Sequence, residues 1–106
     1  MNLLRLAQMT AASVCADMGF AIQDIEDVRV AVDELAALLI EDASNGAVLD
    51  LCFDPRPDTL IVVGAVREAP PHLPEVNVVA AELLALVVDS YELTLDDGVR
   101  TFRLVK

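Results

Sequence analysis

The sequence predicts an α+β domain, a two-layer α/β sandwich in which helices cover one face of a mixed, mostly antiparallel sheet. In three stretches, apolar residues recur at spacings of three and four, which is typical of amphipathic helices. Four β-rich stretches form two pairs, each pair joined by a short turn signal, which is typical of hairpins. The predicted order is helix, helix, strand, strand, helix, strand, strand, and a chain of this length is expected to form one domain over residues 1–106.

The central predicted helix covers residues 25–43, IEDVRVAVDELAALLIEDA, and the rest of the chain is expected to pack around it. Asp24 and the acids after it favour a helix N-terminus, because that end carries unpaired N–H groups and partial positive charge. Ser44, Asn45 and Gly46 stop the run, and Gly46 suits a left-handed terminator. Five apolar residues share one face of this helix, and they are Ile25, Val28, Val32, Leu35 and Leu39.

Two further helices are predicted on either side of it. The first covers residues 3–18 and ends at Gly19. A connector over residues 20–22 follows, in which Ile22 is expected to pack against the next helix from before its cap. The third helix covers residues 75–88, after the proline-rich loop REAPPHLP at residues 67–74.

The strands are predicted from period-two alternation and β-branched residues. Residues 48–53 and 59–63 pair across a turn at 54–58, and residues 64–66 continue the second strand more weakly. The run at 59–63 carries no charge, which predicts a central strand buried on both faces. Residues 91–95 and 99–105 pair across the turn Asp96-Asp97-Gly98.

Composition excludes several classes of function. The net charge is −11, from 7 basic and 18 acidic residues, and the basic residues form no cluster, so direct nucleic-acid binding is disfavoured. An acidic surface suits a basic protein partner, although it also serves solubility alone. No apolar run reaches the roughly 18 residues of a transmembrane helix, and the spaced apolar residues near the N-terminus favour an amphipathic helix over a signal peptide. A cytoplasmic protein that does not enter membranes is therefore expected.

The cysteines and the histidine do not predict a metal site. Cys15 and Cys52 lie far apart without a CxxC motif, so both are interpreted as buried structural thiols. The sole histidine, His72, lies in the proline-rich loop and is expected at the surface.

Two segments resemble a known family. The helix VDELAALLIEDA and the ending LLALVVDSYELTLDDGVRTFRLVK are similar to the small histidine-kinase-like ATPase domains of anti-sigma-factor serine kinases, which regulate bacterial stress and sporulation sigma factors. The resemblance runs from about Arg5 to Lys106, and the C-terminal block is its most specific part. It implies a histidine-kinase-like ATPase fold in truncated form, because the family's N-terminal strand is missing or very short.

The residues that the family uses for ATP and magnesium are mostly absent. In the family's Glu-x-x-x-Asn box the glutamate matches Glu34, but the asparagine position is Leu38, which offers no oxygen to a metal. Of the Asp-x-Gly-x-Gly turn only Gly64 remains, without the aspartate. The glycine-rich lid corresponds to residues 72–79, HLPEVNVV, which contain no glycine. Glu34, Leu38 and Gly64 are thus interpreted as remnants of an ATP site, with no catalytic residue, cofactor or metal expected.

The resemblance and these losses together predict a degenerate, non-catalytic regulator that binds a sigma factor or an anti-sigma-factor antagonist. The alternative is an active serine kinase that binds ATP and magnesium, in which Glu34 would be the catalytic residue. A third hypothesis is that the degenerate pocket holds another small molecule or serves structure alone. A homodimer is also expected, because the family often pairs and the chain is 56% hydrophobic.

Overall fold

The computed structural model describes residues 3–41, 47–67 and 72–106 of the chain. Within them, three helices and four strands follow one another in the predicted order, which confirms the α+β class. The radius of gyration is 13.2 Å, close to the value of about 13 Å expected for a folded chain of 100 residues. In chain order the elements are α1 (Leu3–Asp17), α2 (Ile22–Ile40), β1 (Leu49–Arg56), β2 (Thr59–Val66), α3 (Val78–Val87), β3 (Ser90–Asp96) and β4 (Val99–Val105).

The strands form one sheet in the order β1-β2-β4-β3, and every neighbouring pair in it is antiparallel. The prediction of a mixed sheet is therefore wrong for the part of the chain that the structure describes. The chain leaves β2 through α3 and enters β3 at the far edge of the sheet. Strand β4 then returns between β3 and β2 in the opposite direction. Strands β2 and β3 run parallel to each other but are therefore not neighbours in the sheet.

Both predicted hairpins are confirmed, but the first one has a tighter turn than expected. Strand β1 continues through Pro55 to Arg56, which pairs with Thr59, so the turn contains only Pro57 and Asp58. A proline is tolerated in β1 because this strand lies at the edge of the sheet. In the second hairpin, Asp97 and Gly98 both have positive φ, as a two-residue type I′ turn requires.

Helix α2 begins three residues earlier than predicted. Ile22 is its first residue and is 81% exposed, so the prediction that Ile22 packs from a connector before the helix is wrong. The helix ends at Ile40, and Glu41 leaves the helical region with ψ of 127°. The predicted terminator at Ser44, Asn45 and Gly46 lies outside the described residues, as does residue 43.

The other two helices have well-defined ends. At the end of α1, the N–H of Phe20 bonds the carbonyl of Cys15 and the N–H of Gly19 bonds that of Ala16, which is a Schellman motif with Gly19 at φ of 77°. Helix α3 starts at Val78 rather than at residue 75. The Asn77 side chain accepts a hydrogen bond of 2.8 Å from the N–H of Ala80, and this cap fixes the start of the helix.

The helices cover one face of the sheet, as predicted. Helix α1 contacts α2 and β1, and α2 contacts α3, β2 and β4. Strand β2 is central, but its buried residues alternate with partly exposed ones, so the prediction of burial on both faces is wrong. In the described ranges no second layer covers the outer face. The core residues contributed by α2, β2 and β4 include Val28, Val32, Leu35, Leu39, Leu60, Val62, Val66, Phe102 and Leu104.

Lys106 joins the end of β4 to the start of α2. Its Nζ lies 3.2 Å from Oδ2 of Asp27 and 3.7 Å from Oδ1 of Asp24. The backbone of Lys106 also exchanges two hydrogen bonds of 2.9 Å with Leu60 of β2. None of the described helices is long and apolar enough to cross a membrane.

Candidate functional site

A groove of about 540 Å³ lies between α2 and the first turns of α3. Glu34 is its only lining residue from α2, and it was the one residue that matched the family's glutamate. The other side is formed by residues 77–80 and by Leu83. The groove is thus an open and mostly apolar depression with one carboxylate in its wall.

The Asn77 cap determines which side chains of α3 enter the groove. Because the helix begins at Val78, Ala80 and Leu84 point into the core, and Val78 and Val79 remain exposed. Glu34 lies next to the buried Leu35 and is itself half-buried. The position of α3 beside Glu34 therefore follows from a local cap and from the helical period.

The lining of the groove does not suit phosphate groups. Among the residues that the structure describes, none that lines the groove is basic, and none is glycine. Phosphate sites in proteins use backbone N–H groups freed by glycine, helix N-termini or lysine. The N-terminus of α3 does line the groove, but its first turn carries the apolar side chains of Val78 and Val79, and the N–H of Ala80 already donates to the Asn77 side chain.

Leu38 and Gly64, the two other predicted remnants, lie outside the set of residues that line this groove. Leu38 is half-buried and packs against the core. Gly64 lies on the inner face of β2, directly opposite Phe102 of β4. A Cβ built on Gly64 would lie 2.7 Å from Cζ and 2.8 Å from Cδ2 of Phe102, and closer still to Cε2. The glycine is therefore explained by the packing of this aromatic ring.

Arg100 is the residue near this site that the sequence did not reveal. Its side chain is 1% exposed, although it carries a charge. Its guanidinium donates from Nη1 to the carbonyls of Leu39 and Glu41, at 3.3 and 2.8 Å, with a longer contact of 3.4 Å to that of Leu38. These carbonyls form the negative end of the α2 dipole, where a cation is favourable.

The same guanidinium also holds the segment that leads into α3. Nε and Nη2 of Arg100 donate to the carbonyl of His72, at 3.2 and 3.0 Å. Arg100 therefore joins β4, the end of α2 and the approach to α3, and we refer to these bonds as the Arg100 clamp. A cavity of about 400 Å³ lies beside it, lined by Glu41, His72, Leu73, Pro74, Glu75 and Arg100. The clamp therefore holds the end of α2 and the start of the segment that leads into α3, and these two elements carry the two walls of the Glu34 groove.

The thiols and the histidine are placed as follows. Cys15 is fully buried, as predicted, and burial together with the nearby charge of Asp24 raises the pKa of its thiol. Cys52 is exposed on β1, so the prediction that it is buried is wrong. It alternates with Leu51 and Phe53, which pack against the core, and therefore points to the uncovered face.

The His72 side chain is exposed, as predicted. Among the described residues, no three His, Cys, Asp or Glu side chains are grouped so that they could hold a metal ion.

Both within the groove and farther along the helix, α3 exposes large apolar side chains. Val78, Val79 and Leu86 are 72, 76 and 81% exposed, respectively. Glu82 is the only charged residue of this helix. An apolar helix surface of this kind is typical of an interaction site.

Comparison with known proteins does not assign a family. No family model matches the sequence, and no curated protein is significantly similar to it.

Proposed function

We propose that this protein is a cytoplasmic, non-catalytic regulator of the anti-sigma-factor type that has lost its ATP site. It binds a sigma factor or an anti-sigma-factor antagonist through its surface. The observation that carries the proposal is the groove at Glu34, whose lining among the described residues contains no basic residue and no glycine.

Electrostatics oppose a nucleotide in this groove. Two like charges about 4 Å apart repel by about 1 kcal/mol in water and by about 4 kcal/mol at an effective dielectric constant of 20. ATP would bring several negative charges next to Glu34, and none of the described residues that line the groove supplies a compensating cation. Leu38 adds no metal ligand one helical turn after Glu34.

The order and layering of the elements support the finer fold that the proposal assumes. A long central helix over an antiparallel sheet, followed by a helix and a C-terminal hairpin, is compatible with a truncated histidine-kinase-like ATPase fold. In the described residues β1 is an edge strand, with no further strand outside it.

The surface favours a protein as the ligand. The chain carries a net charge of −11, which favours association with a basic partner. The exposed side chains Val78, Val79 and Leu86 offer apolar area that a partner could cover. A regulator without chemistry of its own needs only these two properties and a stable fold.

The test is direct binding to the purified sigma factors and anti-sigma-factor antagonists of the host organism. We expect one of them to bind with a Kd in the micromolar range or below. If the partner is a sigma factor, added protein should inhibit its transcription in vitro without ATP. Failure of every such protein to bind would contradict the proposal, as would ATP-dependent phosphorylation of an antagonist.

A further inference from the structure

The exposed side of α3 forms a continuous apolar strip beside the Glu34 groove. Val79, Leu83 and Leu86 follow the spacing i, i+4 and i+7, which places them in one row along the helix. Val79 and Leu83 also line the groove. We call this row, together with Val78 and Glu82, the α3 strip.

The composition of α3 is that of a covered helix. Nine of its ten residues, VVAAELLALV, are apolar, and helices that are apolar all round are normally buried. Only Ala80, Leu84 and Val87 are buried here. Leu86 is 81% exposed, so burial within this chain does not account for its apolar character. If that apolar character has a function, the function is contact with a ligand.

The charges around the strip indicate the chemistry of what covers it. Glu34 lies in the groove wall on one side, and Glu82 lies between Val78 and Leu86 on α3. In the part of the chain that the structure describes, no residue lining the groove is basic. A second copy would bring these carboxylates together and add its own net charge of −11, which is unfavourable.

We propose that the α3 strip and the Glu34 groove are the docking site for a basic amphipathic helix of the partner protein. Its apolar residues pack on Val79, Leu83 and Leu86, and its lysines or arginines lie next to Glu34 and Glu82. Val79 and Leu86 are about 10.5 Å apart along the axis of α3, as follows from a rise of about 1.5 Å per residue. A partner helix with apolar residues at i, i+3, i+4 and i+7 has the same repeat. The inference rests on the proposed function in taking the ligand to be a protein.

The first measurement uses a designed peptide as the probe. It has 18 residues, with leucines at i, i+3, i+4 and i+7 and lysines on the opposite face. A second peptide has glutamate at every lysine position, and a third has the lysine peptide's composition in scrambled order. We expect the lysine peptide to bind by fluorescence anisotropy, and the other two to bind at least tenfold more weakly.

Matched variants separate docking from simple charge attraction. Leu86 and Ile22 are both 81% exposed, but they lie on different helices. The double substitution Val79→Ser with Leu86→Ser should weaken peptide binding at least tenfold, because it removes apolar area that the complex buries. Ile22→Ser should change the Kd by less than twofold. Glu34→Gln with Glu82→Gln should make binding less dependent on salt.

Several results would overturn the inference. Equal peptide binding by the α3 double variant and by Ile22→Ser would show that the net charge alone attracts the peptide. Scrambled peptide that binds as tightly as the ordered one would exclude a helical footprint. A dimer in sedimentation equilibrium that Leu86→Ser dissociates would make a second copy the occupant.

The inference and the proposed function fail in different ways. A sigma factor that binds the wild-type protein and Leu86→Ser equally would overturn the docking site and leave the proposed function standing. Peptide binding that depends on Leu86, with no sigma factor or antagonist bound, would support the docking site and contradict the proposed function. Circular dichroism melts of each variant check that the fold is retained.

Discussion

Replacement of Arg100 with methionine should lower the free energy of unfolding by about 3 kcal/mol or more, because hydrogen bonds to charged groups contribute about 1.5–3 kcal/mol each. The variant leaves the carbonyls of Leu39, Glu41 and His72 without their donor. Methionine fills much of the volume of the side chain, so the loss reports the clamp rather than a cavity. Urea denaturation followed by circular dichroism measures this change in the free energy of unfolding.

Arg103 provides the control for this substitution. It lies on the same strand, three residues later, but is exposed on the outer face. Arg103→Met should change the free energy of unfolding by less than about 0.5 kcal/mol, as is usual for surface positions. Arg100→Lys should recover only part of the stability, because an ammonium group cannot reach both the end of α2 and residue 72 in the geometry of a guanidinium fork. Equal effects of Arg100→Met and Arg103→Met would contradict the clamp.

Substitution of Gly64 with alanine should destabilise the protein by about 1–3 kcal/mol, the usual cost of an added methyl group in a packed core. The new Cβ would overlap the ring of the fully buried Phe102. Either the ring or the pairing of β2 with β4 must shift to admit it. Thermal unfolding of the purified variant should show a lower Tm.

A double variant shows whether the ring is the cause. Phe102→Leu removes the ring atoms nearest to residue 64 and is destabilising on its own. In the Phe102→Leu background, Gly64→Ala should lower the free energy of unfolding clearly less than it does in the wild type. The difference between the two values is the coupling energy between the two sites. Additive effects would mean that Gly64 is required for a reason other than the ring of Phe102.

The sequence predicts local structure well where one short-range signal dominates. The alternation in β3 and β4 and the Asp97-Gly98 turn suffice for the second hairpin, because side-chain period and positive φ are local properties. The core face of α2 was also predicted, and Val28, Val32, Leu35 and Leu39 are fully buried. Each of these features depends on residues only a few positions apart.

Features that depend on distant residues were missed. Helix α2 ends at Ile40, and the guanidinium of Arg100, about 60 residues later in the chain, bonds the unpaired carbonyls of Leu39 and Glu41 at this end. Arg100 shares the inner face of β4 with Phe102 and Leu104, as the period of two along a strand indicates. Nothing local in the sequence, however, predicts an acceptor for its charge. The outer face of β2 appeared buried because its residues are apolar, and only the layering shows that it is uncovered.

The candidate site was predicted in part. The sequence selected Glu34, and the structure places this residue in a groove beside α3. It did not predict that Val78 and Val79 form the opposite wall, since that depends on the Asn77 cap, two residues after the predicted helix start. Gly64 was interpreted as a remnant of a nucleotide site, whereas its contact with Phe102 gives it a packing role.

The loss of the ATP site is the claim on which the proposed function most depends. Calorimetric titration of the purified protein with ATP and magnesium, and in parallel with ADP, measures it directly. Glu34→Ala is the test variant, and Asp33→Ala, the adjacent carboxylate on α2, is its control. We predict no saturable heat with any of the three proteins up to millimolar nucleotide. Saturable binding to the wild-type protein that Glu34→Ala weakens and Asp33→Ala does not would contradict the account.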